Sequence, residues 1–268
     1  MTGIVTATHA AESGHWYDST GRQVLTVTGA KGQPVKPDVR HARKLDLAPG
    51  VTTIIGCQDR PGLTVYRERQ ALMCALTLTR TEGETDEAFI ARILRDAKEA
   101  SEKAAERGTE IHADIESHFR TMPAADLWSS RAIAVRQELF RLTKGAGPWW
   151  PERACVSPLG YGTKSDLCAP GWVVDIKTKD GNLDDEKTWD EHAQQLAATR
   201  MALHATYPDE GFDQARCAIL FASRTEDIAR GVEIEEPELQ RGEECFRALV
   251  RYWRAKHKHR PTWAKEEP

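Results

Sequence analysis

The chain has 268 residues, a net charge of −4, and 40% hydrophobic and 29% charged residues. The hydrophobic content excludes a disordered chain, and the net negative charge argues against a protein that coats nucleic acid. The sequence has no run of about 18 apolar residues, so no membrane span is predicted. The first residues lack the basic-then-apolar order of a secretory signal, so we expect a cytoplasmic protein. The six cysteines form no C-x-x-C pair, which argues against a zinc ribbon or an iron–sulfur cluster and fits reduced thiols.

The first half of the chain is predicted to be mostly helical. Residues 14–28 predict two strands around Ser19–Gly21, and residues 30–50, rich in Gly, Pro and Lys, predict a loop. The segment Val51–Ile55 fits either a short strand or the start of a helix. Helices are predicted over 63–79, from Thr85 as N-cap onward through 98–120, and over about 129–143. In the first of these helices, we expect burial of Leu63, Tyr66, Ala71, Met73 and Leu76.

The second half predicts strands that alternate with helices. Strands are predicted over 149–156, over the two halves of 160–178, and over 217–221 and 228–234, and we expect the last two to pair with each other. Helices are predicted over 188–204 and 237–256. We therefore expect an α/β (α+β) fold with a mixed central sheet flanked by helices. The sequence predicts a single domain, with a hairpin and loop over 1–50, a helical part over 51–145 and a core over 146–268.

The segment from Gly160 to Thr178 predicts a hairpin with a turn at Ala169–Gly171. Side chains alternate along a strand, so Asp175 and Lys177 share one face, and the hairpin brings Asp166 opposite them. Two carboxylates and an ammonium group at one sheet edge suit a hard divalent cation and metal-assisted phosphodiester hydrolysis. The alternative is a solvated face of a half-buried hairpin, which a bare D-x-K pattern more often indicates.

Further polar residues lie before and after this hairpin. His112 and Glu116 are one helical turn apart and share a face, and His112 alone would more often be structural. Glu152 lies on the preceding strand and faces either the same site or solvent. Gln195 lies on the following helix, where a glutamine is usually a surface residue but can also orient a water or a phosphate.

The order of these motifs resembles the PD-(D/E)XK nuclease superfamily, in the branch with the RecB nuclease domain, CRISPR-associated RecB-like exonucleases and many phage exonucleases. The resemblance covers roughly residues 50–205. It rests on Val51–Ile55, Gly108-Thr109-x-x-His112-x-x-x-Glu116, Glu152, Gly162/Thr163-x-x-Asp166, Asp175-Ile176-Lys177-Thr178 and Gln195. The chain departs from the family at Thr199, four residues after Gln195, where the family usually has tyrosine.

The resemblance implies a restriction-endonuclease-like core and a set of site roles. His112, Asp166, Asp175 and the Ile176 carbonyl would hold Mg²⁺ or Mn²⁺. Lys177 would position or help deprotonate the attacking water. Glu152 would act in the outer shell of the metal, and Gln195 would orient the lysine or the scissile phosphate. The resemblance also implies contacts with the DNA backbone for Arg107, Thr109 and Thr178.

The partners expected from this reading are DNA ends or single strands. Trp149, Trp150 and Tyr161 flank the site and either stack on unpaired bases or belong to the core. The segment Arg251–Arg260 has five fixed cations and no acid, and is either part of the DNA path or an exposed helix end.

The expected function is a metal-dependent DNA exonuclease of phage or recombination type. The alternatives are a site-specific or structure-specific endonuclease on the same fold, or a DNA-binding or assembly module with weak catalysis. The resemblance further suggests a single-strand annealing or recombination protein as a partner, and it leaves homo-oligomerisation open.

Overall fold

The computed structural model describes residues 15–59, 61–122 and 127–265. Gly14, the first residue of the predicted N-terminal strands, and residues 1–13 of the N-terminal segment that lacks a signal pattern lie outside these ranges. The chain divides into two compact units, one formed by residues 1–11 and 58–110 and the other by residues 12–57 and 111–268. Helices and strands are mixed, which confirms the predicted α+β class.

Seven helices and ten strands occur in the described residues. The helices are α1 (Val39–Leu45), α2 (Val51–Ile55), α3 (Pro61–Thr77), α4 (Asp86–Thr121), α5 (Ser130–Thr143), α6 (Asp190–Thr206) and α7 (Glu236–His257). The strands are β1 (Trp16–Tyr17), β2 (Gln23–Val24), β3 (Val27–Thr28), β4 (Pro34–Val35), β5 (Ala48–Pro49), β6 (Trp150–Ser157), β7 (Tyr161–Ala169), β8 (Trp172–Lys179), β9 (Arg216–Ser223) and β10 (Ala229–Ile234). Among these helices, none is both long enough and apolar enough to cross a bilayer.

A five-stranded sheet forms the centre of the second unit, in the order β10-β9-β8-β7-β6. β8 and β9 run parallel, in register from Trp172↔Arg216 to Lys179↔Ser223, whereas the other neighbours are antiparallel. A parallel pair needs a crossover connection, and the chain between β8 and β9 supplies it with α6. The predicted hairpin and the predicted β9–β10 pairing are both confirmed.

Each face of this sheet is covered by helices. One face packs against α2, α6 and α7 through a core that includes Val173, Leu196, Phe221, Phe246 and Trp253. The other face packs against α5 and residues 111–119 through Ile115, Phe119, Leu139, Leu167 and Val174. The central sheet flanked by helices is therefore confirmed, and the polar residues between β7, β8 and α6 lie within this frame.

The segment 30–50 is not a loop, contrary to the prediction. It contains β4, α1 and β5, and α1 is capped by Asp38, whose carboxylate accepts hydrogen bonds from the peptide N–H groups of Arg40 and His41. This N-cap satisfies amides that a helix start otherwise leaves unpaired. Val51–Ile55 is helical, and Gly50 just before it forms a bridge with Gly162 of β7.

The first unit contains α3 and the part of α4 up to Glu110. Thr85 accepts a hydrogen bond from the Ala88 N–H, which confirms it as the cap of α4. The burial predicted for α3 is wrong for Tyr66, Met73 and Leu76, which are 43%, 51% and 82% exposed. The apolar residues of α3 are spread around the helix instead of forming one stripe, so no single face of it can be buried.

Candidate functional site: two carboxylates where β7 and β8 separate

The β7–β8 hairpin opens at the two predicted aspartates. The strands pair only at Leu167↔Val174, Cys168↔Val173 and Ala169↔Trp172, next to the turn. Two residues beyond Val174, the Ile176 N–H donates to the Asp166 carboxylate over 2.7 Å instead of to a strand carbonyl. A side chain thus takes the place of a backbone acceptor, and Asp166 and Asp175 lie at the start of the gap between the strands.

Asp175 is tied to both Lys177 and α6. Its Oδ1 accepts a hydrogen bond from Gln195 Nε2 over 2.6 Å, and its Oδ2 lies 2.9 Å from Lys177 Nζ. Lys177 Nζ in turn donates to Gln195 Oε1 over 3.2 Å. These contacts form a closed triangle that fixes the position of the ammonium group. The predicted association of Gln195 with the lysine is therefore present in the structure.

One oxygen of the Asp175 carboxylate has an ion-pair partner but no hydrogen bond. Asp175 is only 7% exposed, and its buried Oδ2 has no hydrogen bond of good geometry, although Lys177 is at ion-pair distance. A buried carboxylate oxygen of this kind is costly unless a cation or donor is close.

Asp166 faces the negative charge of Asp175. Burial and the Asp175 charge raise the pKa of Asp166 above its ordinary value, while His112, Lys177 and the Ile176 N–H act in the opposite direction. His112 reaches this carboxylate from α4, with Nδ1 at 3.8 Å from Asp166 Oδ2. The two carboxylates therefore repel one another, and a divalent cation between them would relieve that repulsion.

The donor types present fit a hard divalent cation. Asp166, Asp175 and His112 supply carboxylate oxygens and an imidazole, and Asp175 Oδ2 is an acceptor that has no hydrogen bond. Within the described ranges, however, no group of three or more His, Cys, Asp or Glu side chains is set to hold a metal ion. Ile176, predicted to contribute its carbonyl, places its side chain in the core and uses its N–H to bind Asp166.

Glu152 lies opposite Asp166 in the β6–β7 register and has an unusual backbone conformation. The ladder pairs Pro151 with Leu167 and Arg153 with Ser165, and Glu152 between them has φ = 53°. A left-handed conformation costs a non-glycine residue on the order of 1–2 kcal/mol. Its carboxylate pairs with Lys164, so Glu152 faces a lysine beside the site and not open solvent.

Lys164 links Glu152 to the site through this ion pair, and it was not among the residues predicted from the sequence. Burial lowers the pKa of Lys164, while the negative charges of Glu116 and Asp166 oppose that shift. Lys164 and Asp166 share one face of β7 because they are two residues apart. That spacing was the signal that could have identified Lys164.

His192 is a second residue missed from the sequence. It lies one turn before Gln195 on α6, and its Nδ1 accepts the Trp189 N–H over 3.2 Å. Burial and the neighbouring Lys177 ammonium lower the pKa of His192 to about 4. The i, i+3 spacing to Gln195 would have placed it on the face of α6 that meets the site.

Thr199 occupies the position where the resembled family has tyrosine. Its hydroxyl donates to the Gln195 carbonyl over 2.8 Å and lies 3.5 Å from the Thr163 hydroxyl. Thr199 is buried, so the residue contributes to the packing of α6 on β7.

The predicted DNA-contacting residues are dispersed. Tyr161 is fully buried, donates to the Ala198 carbonyl over 3.0 Å and packs edge-on against Phe246, so the expectation that it stacks on bases is wrong. Trp150 is half-buried against Phe212 and lies under the Arg153 guanidinium. It lines a cavity of about 630 Å³ together with Arg153, Pro170, Asp209, Glu210 and Gly211.

The other three residues predicted to contact DNA lie on regular elements. Thr178 is half-buried on β8, where it pairs with Ala222. Arg107 and Thr109 belong to the α4 segment of the first unit, and the Thr109 hydroxyl donates to the Ala105 carbonyl of its own helix.

Comparison with protein-family models and with curated proteins gives no match to this chain.

Proposed function

We propose that the protein is a metal-dependent deoxyribonuclease that acts on DNA ends. The observation that carries this proposal is the meeting of Asp166 and Asp175 in the gap between β7 and β8, with Lys177 held beside them by Gln195. This combination of carboxylates, ammonium and amide suits hydrolysis of a phosphodiester.

The topology of the site supports the same proposal. The motif residues come from α4, β6, β7, β8 and α6, in the chain order of the resembled family, and the central strands lie side by side in the sheet. The convergence of His112, Asp166, Asp175 and Gln195 from four separate elements is not expected of a solvated hairpin face.

A bound Mg²⁺ or Mn²⁺ would polarise the phosphate and lower the pKa of a bound water. Asp166, Asp175 and His112 would hold that ion. Lys177 would place a positive charge against the phosphate oxygens, since its ammonium is fixed by Asp175 and Gln195. Gln195 contacts both partners, so its role is to keep the lysine and the carboxylate at a constant separation.

The direct test is cleavage of end-labelled linear DNA with Mg²⁺ by the wild type and by Lys177→Met. We expect Lys177→Met to lower kcat by about 100-fold or more, because one preorganised charge is lost from the transition state. Lys179→Met is the matched control, since Lys179 lies two residues further along β8 and pairs with Glu186. Equal activity of wild type and Lys177→Met would refute the nuclease assignment.

Covalently closed circular DNA separates an exonuclease from an endonuclease. We expect linear DNA to be degraded and closed circles to remain intact. Cleavage of the circles would instead assign an endonuclease on the same fold.

One observation favours a second candidate, a DNA-binding module with little catalysis. The described residues include no ready-made group of three or more metal-binding side chains. Calorimetric titration with Mn²⁺ distinguishes the candidates: a nuclease requires binding that Asp166→Asn and Asp175→Asn abolish, and a binding module does not.

A further inference from the structure

A basic surface patch lies where α1 meets the C-terminal end of α7. It consists of five exposed cations from the two elements: Arg40, Arg43, Lys44, Lys256 and Lys258. The three α1 members share one face of that helix because they are spaced i, i+3 and i+4. The Arg43 guanidinium donates to the His257 carbonyl, which joins the two halves of the patch.

These five charges are not neutralised by the described carboxylates. None of the five is ion-paired with a described Asp or Glu, whereas Arg153, Arg200 and Arg224 elsewhere each hold one. The two acids that flank α1 are used differently: Asp38 caps the helix, and Asp46 accepts hydrogen bonds from the N–H and hydroxyl of Thr262. The patch is therefore a local positive field on a chain whose net charge is −4.

The patch cations shift the pKa values of two neighbouring side chains, His257 and Cys57. Burial, Lys256 and Arg43 lower the pKa of His257, so two patch cations act on the residue between them. Lys256 also acts against the burial that raises the pKa of Cys57, just after α2. The positive charges of α1 and α7 thus act on one region of the surface.

The patch is connected to the strand that carries Asp166. Arg254 of α7 donates to the Leu159 carbonyl in the β6–β7 turn, and Gly50, at the end of the segment that includes α1, bridges Gly162. Gly162 lies four residues before Asp166, which is about 13 Å along a strand. A ligand that reaches from the Gly50–Gly162 bridge to the carboxylates therefore extends over more than one nucleotide.

We propose that the patch binds the phosphate backbone of DNA next to the end that is cleaved. This inference rests on the proposed function for the identity of the polyanion. Duplex DNA carries one charge per about 1.7 Å of axis, so several separated cations can each meet a phosphate at once. Backbone contacts of this kind fix the register of the DNA and are independent of its sequence.

Fluorescence anisotropy with a labelled DNA duplex, in EDTA to prevent cleavage, tests the patch. The triple variant Lys44→Gln, Lys256→Gln and Lys258→Gln removes three patch charges and leaves Arg43, which contacts His257. The control is Lys31→Gln, Lys144→Gln and Arg241→Gln, which changes the net charge equally from exposed positions outside the patch. Circular dichroism and tryptophan fluorescence verify that both variants are folded.

We expect the patch variant to bind DNA roughly 10- to 100-fold more weakly at low salt, with a slope of log K against log salt reduced by about 2–3. The control variant keeps the wild-type slope. The same slope and affinity in wild type and patch variant, or an equal loss in the control, would overturn the proposal. So would a patch-dependent affinity for anionic phospholipid vesicles with unchanged DNA binding.

Hydrolysis of bis(p-nitrophenyl) phosphate by the wild type with Mn²⁺ reports on the proposed function separately. If the wild type binds DNA through the patch but hydrolyses neither this ester nor DNA, the nuclease assignment fails and the patch assignment stands.

Discussion

At the scale of single residues, the site places the carboxylates of Asp166 and Asp175 close together, and the positive charge of Lys177 partly offsets their repulsion. Asp166 has 19% of its side chain exposed and faces Asp175. The Ile176 N–H donates to Asp166 and the Gln195 amide donates to Asp175, whereas the buried Asp175 Oδ2 has an ion-pair contact with Lys177 and no hydrogen bond. Such an arrangement favours binding of a cation over stability of the metal-free fold.

Replacing Asp166 by Asn should therefore stabilise the metal-free protein. The amide oxygen can still accept the Ile176 N–H, whereas the buried negative charge and its repulsion with Asp175 are gone. We expect the free energy of unfolding in EDTA to rise, because a raised pKa of Asp166 means that folding disfavours its charged form. Urea unfolding followed by tryptophan fluorescence measures it, because all eight tryptophans lie in the second compact unit.

Asp213→Asn is the control for that variant, since Asp213 is exposed. Its unfolding free energy should stay at the wild-type value. A loss of stability in Asp166→Asn would show that the carboxylate is favourable in the metal-free fold, contrary to the expectation.

Contacts between residues that are close in the sequence could be predicted from it more readily than the burial of a single side chain. Strand alternation placed Asp175 and Lys177 on one face, the resemblance to the nuclease superfamily added Gln195, and the structure brings the three into contact. Tyr161 could not be judged in this way, because its burial depends on Phe246 and Ala198, which are distant in the chain.

At the scale of elements, glycines let helices and strands approach closely. A Cβ on Gly242 of α7 would lie 2.7 Å from the Ala193 backbone of α6, and one on Gly162 of β7 would lie 2.3 Å from the Tyr17 ring. The first approach holds α6, which carries Gln195, against α7, and the second holds β1 against β7.

The attachment of α5 to β10 should depend on pH through Glu138. Its Oε1 accepts the Gly231 N–H over 2.6 Å, and Arg141 pairs with the same carboxylate. Burial alone would raise the pKa of Glu138, but the hydrogen bonds from Arg141 and Gly231 outweigh it and lower the pKa below its ordinary value. The ionised form is thus favoured by folding, so this stability is present above the unfolded pKa and is lost as pH falls through the folded pKa.

Glu138→Gln should accordingly destabilise the protein by about 1.5–3 kcal/mol at neutral pH, the range for hydrogen bonds to a charged group. The difference from wild type should shrink as the pH is lowered from about 5 to about 3, around and below the reference pKa of Glu. Denaturant unfolding at several pH values measures both effects, with the exposed Glu244→Gln as control. A difference that stays constant down to pH 3 would show that the charge of Glu138 is not involved.

The prediction for segment 30–50 was wrong because its composition is typical of a loop, whereas its N-cap residue favours a helix. The Gly, Pro and Lys content of 30–50 predicted a loop, but the Asp38 cap and the packing of Ala42 in the core stabilise α1 there. The paired strands β7–β8 and β9–β10 were predicted because β-branched runs and turn residues are local signals.

At the scale of the whole molecule, the order of the strands could not be read from the sequence. The order β10-β9-β8-β7-β6 includes the parallel β8–β9 pair, which joins segments separated by α6. This pairing of distant segments determines which residues meet at the gap between β7 and β8. The basic patch likewise depends on contact between α1 and α7, which are about 200 residues apart in the sequence.

Metal binding should stabilise the second compact unit as a whole, because the gap between β7 and β8 ties α4, α6 and the central sheet together. At a Mn²⁺ concentration 100 times its Kd, linkage adds about 2.7 kcal/mol to the free energy of unfolding. For a unit of this size we expect Tm to rise by roughly 5–10 °C, measured by tryptophan fluorescence in a thermal ramp. The double variant Asp166→Asn and Asp175→Asn should show no such rise, while Asp209→Asn with Asp213→Asn, both exposed, should respond like wild type. An equal rise in all three proteins would place the bound ion outside the β7–β8 gap and remove the metal from the proposed mechanism.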